Sequence, residues 1–330
     1  MAAAAATQTP FSVNGKTAIV TGGGSGICLA FCTALLSRNC NVVIADLALR
    51  PEAEALVSAH KDKDASNKEG RAVFVPTDVR SWPALDEMFA TAVREFGTFD
   101  IVCPGAGVYE PHWSNFWHPP GASAASRDDP AGGRYTHLDI NITHPVRVTQ
   151  LALAQWLNPA SEDGSVKETR VSPAAPKRVL HVSSVAGQSP GFANPVYAGT
   201  KHFISGFVRS LAPLEARLGV RVNAVAPGVV RTPLWTEHPE KMTYVDEGGD
   251  RWTTPEEVAD AMVRLLEGDE KEAGAGTVLE VGAGCTRRVD AFDAARPDPA
   301  PSKGLIPGNV QMGVEEVFGW LAEEGWGVRK

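Results

Sequence analysis

The sequence predicts an α/β protein built as one doubly wound domain, a parallel sheet of about seven strands with helices on both faces. Two observations carry this expectation. Short apolar runs alternate with amphipathic stretches from residue 16 to residue 282, the order that successive βαβ units require. The runs are continuous in Val and Ile rather than alternating with polar residues, as strands covered on both faces must be. With 330 residues, 43% hydrophobic and 21% charged, the chain has the material for a large core.

Taken in order, KTAIVT (16–21) reads as a buried strand and the stretch to about Arg38 as the helix that follows it. NVVIAD (41–46), AVFVPTD (72–78) and FDIVCPG (99–105) read as three further strands, with helical segments near 51–61 and 81–96 between them. RVLHVSS (178–184) and RVNAVAPG (221–228) are the fifth and sixth, accompanied by helices near 137–157 and 197–218; TVLEVG (277–282) is the seventh. Residues 109–135 and 158–177 are rich in Pro, Gly and polar residues and read as long loop insertions. Residues 1–12 read as a flexible N-terminal tail, 13–285 as the domain, and 286–330 as a C-terminal extension with a short amphipathic helix at 314–326. None of the pieces outside the sheet has the apolar content for a core of its own.

Charge and cysteine usage exclude several classes of function. Thirty-one Lys and Arg against 39 Asp and Glu give a net charge of −8, which argues against nucleic-acid or acidic-membrane partners. No apolar run approaches the length of a transmembrane helix, and MAAAAATQTP lacks the basic start and apolar stretch of a secretory signal. The five cysteines (28, 32, 40, 103 and 285) form no CxxC pair, which suits free thiols in a reducing, cytoplasmic compartment. No spacing of His and Cys suggests a metal site.

The first strand runs into Thr21-Gly22-Gly23-Gly24-Ser25-Gly26-Ile27. A glycine-rich turn between a first strand and its helix lets backbone N–H groups and a helix N-terminus approach a pyrophosphate, the Rossmann-type arrangement. Asp46 ends the second strand, 20 residues beyond Gly26, where a carboxylate accepts hydrogen bonds from the adenosine ribose hydroxyls and repels a 2′-phosphate. Leu47 follows it and the next cation is Arg50, so the expected cofactor is NAD rather than NADP.

Tyr197 and Lys201 lie four residues apart, on one face of a helix. An ammonium beside the phenol is expected to lower its pKa from about 10 and make it a usable base or acid. Ser184, at the end of the fifth strand, can hydrogen-bond a substrate oxygen. Asn141 can hold, through its amide or its backbone carbonyl, a water in a relay from Lys201 to solvent.

This set resembles the short-chain dehydrogenase/reductase family over about residues 13–285. The TGGGSGI turn, Asp46, Asp78-Val79, Ala106-Gly107, Asn141, Ser183-Ser184, Tyr-x-x-x-Lys and Pro227-Gly228 occur in the family's order. The stretch PVYAGTKHFISGFVRSLA and the following GVRVNAVAPGVVRTPL look most like NAD-dependent 15-hydroxyprostaglandin dehydrogenase-type members. The resemblance implies Ser184, Tyr197 and Lys201 as catalytic residues, with Asn141 completing a tetrad. It implies a cofactor site made of Gly22, Gly24, Ser25, Gly26, Ile27, Asp46, Leu47 and the segment Gly105, Ala106 and Gly107, with Tyr197 and Lys201. Asp78 and Val79 are then expected near the adenine, Pro227, Gly228, Val230 and Thr232 near the nicotinamide, and the helices at 137–157 and 197–218 in a homodimer or homotetramer.

Two positions depart from the family. Cys28 stands where it usually has a glycine, and Pro104-Gly105 where it usually has two asparagines whose amides steady neighbouring strands. The expected activity is reversible hydride transfer between NAD(H) and a secondary alcohol or ketone. Tyr109, Trp113, Phe116 and Trp117 on one loop, and Leu234, Trp235, Met242, Tyr244 and Trp252 on another, suggest a medium-sized apolar or aromatic substrate. An NADPH-dependent ketoreductase and a non-catalytic NAD(H)-sensing protein are the alternatives.

Overall fold

The computed structural model describes residues 10–62, 69–159, 170–237, 242, 245–246, 248–249, 251–291 and 310–328. Eight strands form one sheet: β1 (Thr17–Thr21), β2 (Asn41–Asp46), β3 (Ala72–Pro76), β4 (Ile101–Pro104), β5 (Lys177–Val182), β6 (Val220–Pro227), β7 (Val278–Gly282) and β8 (Cys285–Val289). Their order is β3-β2-β1-β4-β5-β6-β7-β8. The first seven are parallel, and β8 returns antiparallel to β7 with Gly282 opposite Cys285.

The strands at the middle of the sheet are buried on both faces, and successive apolar side chains feed two cores. Val20, Ile44 and Ile101 point to one side, where they meet Phe31, Leu35 and Leu36 of α1 (Gly26–Leu36) and Val258, Met262 and Leu266 of α7 (Pro255–Glu267). Ile19, Val43 and Val102 point to the other, against Leu85 and Phe89 of α3 (Trp82–Phe96), Val148 and Trp156 of α4 (His144–Leu157), and Ile204 and Val208 of α5 (Pro195–Ser210). This double burial is the reason the strands read as unbroken apolar runs. The helix α2 (Pro51–Ala59) links β2 and β3.

Four features differ from the sequence expectation. The sheet has an eighth strand, β8, whose Cys-Thr-Arg-Arg-Val is almost wholly exposed and carries no apolar pattern. Its arginines blunt the sheet edge, and it straddles residue 285, where the sequence suggested the domain's end. The α7 helix is absent from the sequence expectation, although Thr254 and Glu257 form a reciprocal capping box around Pro255. The expected helix 197–218 divides into α5 and α6 (Pro213–Leu218), because Pro213 lacks the N–H that a continuous helix needs. The C-terminal helix α8 (Val310–Ala322) lies four residues earlier than expected. Leu321 is buried in the α3/α4/α5 core, and Asn158 donates to the Trp326 carbonyl at 2.9 Å.

Strand order reverses direction between β1 and β4, so their C-terminal ends diverge and open a crevice. In open parallel sheets, ligands bind at such a point. The residues that the sequence singles out gather there.

Candidate active site

A cavity of about 770 Å³ occupies the crevice. It is lined by Gly22, Ser25, Gly26, Ile27, Asp46, Leu47, Asp78 and Val79 from one half of the sheet. Gly105, Ala106, Gly107, Ser184, Tyr197, Lys201, Pro227, Gly228, Val230 and Thr232 line it from the other. Of the residues expected in the site, Gly24 and Asn141 stand behind the wall.

The glycine turn is shaped by close approach. Gly22 has φ +73°, and a Cβ there would lie 2.8 Å from the Ala106 Cα on the β4 side of the crevice. Gly24 donates its N–H to Asp46 Oδ2 at 2.9 Å, and Leu47 N–H donates to Asp46 Oδ1 at 2.7 Å, so both carboxylate oxygens are aimed by backbone groups. At the start of α1, Ser25 makes no side-chain cap and no acidic residue sits in the first turn. The helix therefore presents uncapped N–H groups and the positive end of its dipole to the cavity, which suits a pyrophosphate. These residues fit a dinucleotide: a bare backbone cradle, an anion-binding helix end and an oriented carboxylate beyond them.

Two arginines near the Asp46 end are already paired. Arg50 makes a two-pronged contact with Glu237, at 2.7 and 2.5 Å, and Arg80 does the same with Asp78, at 2.6 Å for the shortest bond. The Arg80 guanidinium holds the Asp78 carboxyl below the usual carboxylate range.

The two departures from the family are neighbours in space. The Cys28 thiol is buried against Gly105, where any Cβ would collide with its sulfur. Cys28 also hydrogen-bonds Cys103, and this contact, with burial, raises the Cys103 pKa. The strand ends that asparagine amides would steady are tied here by Thr21, whose Oγ1 accepts from Ala106 N–H at 3.2 Å and pairs with His144 Nε2 at 3.0 Å.

Ser184 follows β5, and Tyr197 and Lys201 face the cavity from α5. The Ser184 hydroxyl hydrogen-bonds the Tyr197 phenol. Lys201 Nζ lies 5.4 Å from the centroid of the Tyr197 ring and donates to the Val182 carbonyl at 2.9 Å. Burial dominates the titration of both. It pushes the phenol up to about 12, outweighing the Ser184 bond, and it pulls the lysine down to about 8. The expected lowering of the phenol is thus reversed here, because burial disfavours the phenolate more than the Ser184 hydrogen bond favours it.

Asn141 sits in a five-residue π-helical segment, Asp139–Thr143, that leads into α4. Its side chain is committed: Oδ1 accepts from Val108 N–H and Nδ2 donates to Val108 O, each at 2.9 Å, with Thr200 Oγ1 and His137 Nε2 also in reach. The amide thus braces the segment after β4 and is committed to protein partners. Ser183 further ties β5 to the catalytic helix, its hydroxyl donating to the Lys201 carbonyl at 3.1 Å.

Tyr109, Trp113, Leu234 and Trp235 line the far end of the cavity, with Tyr109 edge-on to Tyr197 at 4.6 Å. Phe116 and Trp117, expected in the same role, turn outward, and Trp117 packs on Phe192. Met242 and Trp252 do not line the cavity, and Trp252 meets only the edge of Trp235. Tyr244 lies outside the described residues. No group of three potential metal ligands occurs among the described residues. None of their helices is long and apolar enough to cross a membrane. Glu110, which no sequence motif marks, is buried beside Tyr197 and accepts its backbone N–H.

Residues 16–243 match the short chain dehydrogenase family. Among curated relatives, 15-hydroxyprostaglandin dehydrogenase [NAD(+)] of Homo sapiens is 32% identical over 226 residues, 67% of this chain and 71% of the relative. Cis-4-hydroxycyclohexanecarboxylate dehydrogenase of Sinomonas cyclohexanicum is 30% identical over 82% of this chain and 96% of its own. Among solved structures, a 3-ketoacyl-(acyl-carrier-protein) reductase of Brucella melitensis, complexed with NADH, superimposes with a TM-score of 0.61. That match has 22% identity and covers 83% of this chain and 99% of the other, so it speaks for the fold. With the family match covering well over half of its length, this chain belongs to the short-chain dehydrogenase/reductase family.

Proposed function

We propose that the protein is an NAD(H)-dependent alcohol dehydrogenase/reductase acting on a medium-sized apolar or aromatic secondary alcohol or its ketone. The observation that carries this reading is the convergence of Ser184, Tyr197 and Lys201 on one wall of a cavity whose opposite end is the glycine cradle and Asp46. The NAD-dependent relatives support the cofactor, and the apolar end formed by Tyr109, Trp113, Leu234 and Trp235 supports the substrate class.

In this reading the uncapped start of α1 holds the pyrophosphate, Asp46 the adenosine ribose, and Val230 and Thr232 the nicotinamide side. When bound, the nicotinamide ring accepts or donates the hydride. Ser184 and Tyr197 hold the substrate oxygen. In oxidation the O–H proton passes to the Tyr197 phenolate oxygen while the carbinol C–H bond breaks and its electron pair leaves as hydride. In reduction the neutral phenol returns the proton to the forming alkoxide. Lys201 supplies positive charge beside the phenol, and the Asn141 backbone carbonyl is the station from which a water connects it to solvent.

Apolar residues on the outer face of α5, where half-exposed Phe203 stacks on Phe207, support a homodimer or homotetramer built on α4 and α5. Four buried free thiols of five support a cytoplasmic, reducing location.

The test is separate titration of NADH and NADPH by nicotinamide fluorescence, followed by a screen of apolar secondary alcohols with the preferred oxidised cofactor. NADH preference with absorbance growing at 340 nm is expected. NADPH preference, or NADH binding without turnover of any alcohol or ketone, would overturn the reading.

A further inference from the structure

The insertion after β4 is anchored at both ends to the segments that carry the catalytic residues. Glu110 has φ +26°, a conformation that non-glycine residues rarely adopt and that persists only where surrounding contacts hold it. Its carboxylate is buried and turned toward the start of α5. Oε2 accepts from Tyr197 N–H at 2.8 Å and Oε1 from Phe116 N–H at 3.3 Å. The Val196 N–H also bonds this carboxylate. The residue that should cap α5, Asn194, makes no side-chain cap, so Glu110, 87 positions upstream of Tyr197, fills that role. The Glu110 carbonyl is held in turn by Asn115 Nδ2 at 3.1 Å.

The far end of the insertion repeats the device. Asp128 accepts from Ser114 Oγ at 2.6 Å and from Thr136 N–H at 2.9 Å, and His137 N–H donates to Ser114 Oγ at 3.0 Å. Thr136 opens the turn that leads to Asn141. Beside the first anchor lie the neighbours of the substrate end, Tyr109 against the Tyr197 ring and Trp113 on the cavity wall.

We propose that Glu110 is a positioning residue whose carboxylate fixes the first turn of α5, and with it the Tyr197 phenol, relative to the loop that shapes the substrate end of the cavity. The proposal rests on the dehydrogenase reading for the chemistry Tyr197 performs, but the clamp itself does not depend on it. Both roles of the carboxylate need two acceptor oxygens. Glutamine offers one, so Glu110→Gln should be intermediate and Glu110→Ala should lose the clamp. Glu110→Gly separates the two things residue 110 could supply, because glycine adopts positive φ freely but brings no carboxylate.

The test compares these variants with the wild type by hydrogen exchange, by NADH affinity from nicotinamide fluorescence, and by kcat and KM with NAD+ and 1-phenylethanol. In Glu110→Ala and Glu110→Gly, amides 196–198 and 113–118 should exchange about five- to tenfold faster, with the sheet unchanged. Their kcat should fall about 10- to 100-fold, and Glu110→Gln should lie between. NADH affinity should fall far less than kcat, because the glycine cradle and Asp46 that hold the pyrophosphate and adenosine ribose lie outside the displaced turn. A Glu110→Gly protein with wild-type exchange and wild-type kcat would overturn the proposal, as would parallel collapse of NADH binding and kcat. If 1-phenylethanol is not turned over by the wild type, the exchange at 196–198 and 113–118 still decides the clamp, and only the dehydrogenase reading is put in question.

Discussion

The Cys28 sulfur fills the space that any side chain at residue 105 would need. One departure from the family pattern at the start of α1 is therefore matched by another at the end of β4, and the two form one packing unit. Gly105→Asn alone should overpack the crevice and cost about 1–3 kcal/mol of stability. Cys28→Gly with Gly105→Asn should recover most of that loss. A double-mutant cycle in urea measures the coupling, and additive effects of the two changes would contradict the account.

Asp46 should govern the choice of cofactor. Its oxygens are aimed by Gly24 and Leu47, and the nearby Arg50 and Arg80 are neutralised by Glu237 and Asp78. Asp46→Ser should weaken NADH binding and raise the NADP(H) to NAD(H) ratio of kcat/KM about tenfold or more, since a carboxylate that repels the 2′-phosphate is removed. The ratio is read from initial rates with each cofactor.

The titration of the site predicts opposite pH profiles for the two directions. With the phenol near 12, the neutral acid dominates at physiological pH, so oxidation should rise as pH increases and more phenolate forms. Reduction draws on the abundant phenol and on a charged Lys201, so its kcat/KM should decline above about pH 8 as the lysine loses its proton. Rate profiles from pH 6 to 10 in both directions test this.

Three buried histidines should make the fold acid-sensitive. Burial lowers His137 and His144 to about 4 and His181 to about 3. The unfolded chain takes up these protons below about pH 6.5 while the folded chain refuses them, so the stability they contribute is present at neutral pH and lost as pH falls from 6.5 toward 4. Each costs about 1.4 kcal/mol per pH unit once the unfolded histidine is fully protonated. Urea unfolding midpoints between pH 7 and 4.5 should drop steeply, and His181→Asn should flatten the slope by about one proton.

Much of this architecture was readable in the sequence because the physics that forms it is local or periodic. The parallel strands declared themselves by unbroken Val and Ile runs, since both of their faces are buried. The glycine turn and the Tyr197–Lys201 spacing were legible because each needs a fixed residue type at a fixed interval. The strand β8 was not, because an exposed edge strand of Thr and Arg carries no hydrophobic signal. The α7 helix could have been found from Thr254, Pro255 and Glu257, which write its start in plain capping chemistry. The π-helical turn at Asn141 and the strained Glu110 were out of reach. The first shifts helical periodicity too little over five residues to notice, and the second owes its conformation to partners far along the chain.

Tyr197→Phe beside the wild type tests the central claim most directly, with NADH binding followed by fluorescence and alcohol oxidation by absorbance at 340 nm. The account predicts turnover of an apolar secondary alcohol by the wild type, and a loss of about 10³-fold or more in the variant with NADH affinity nearly unchanged. Undiminished turnover by Tyr197→Phe would contradict it.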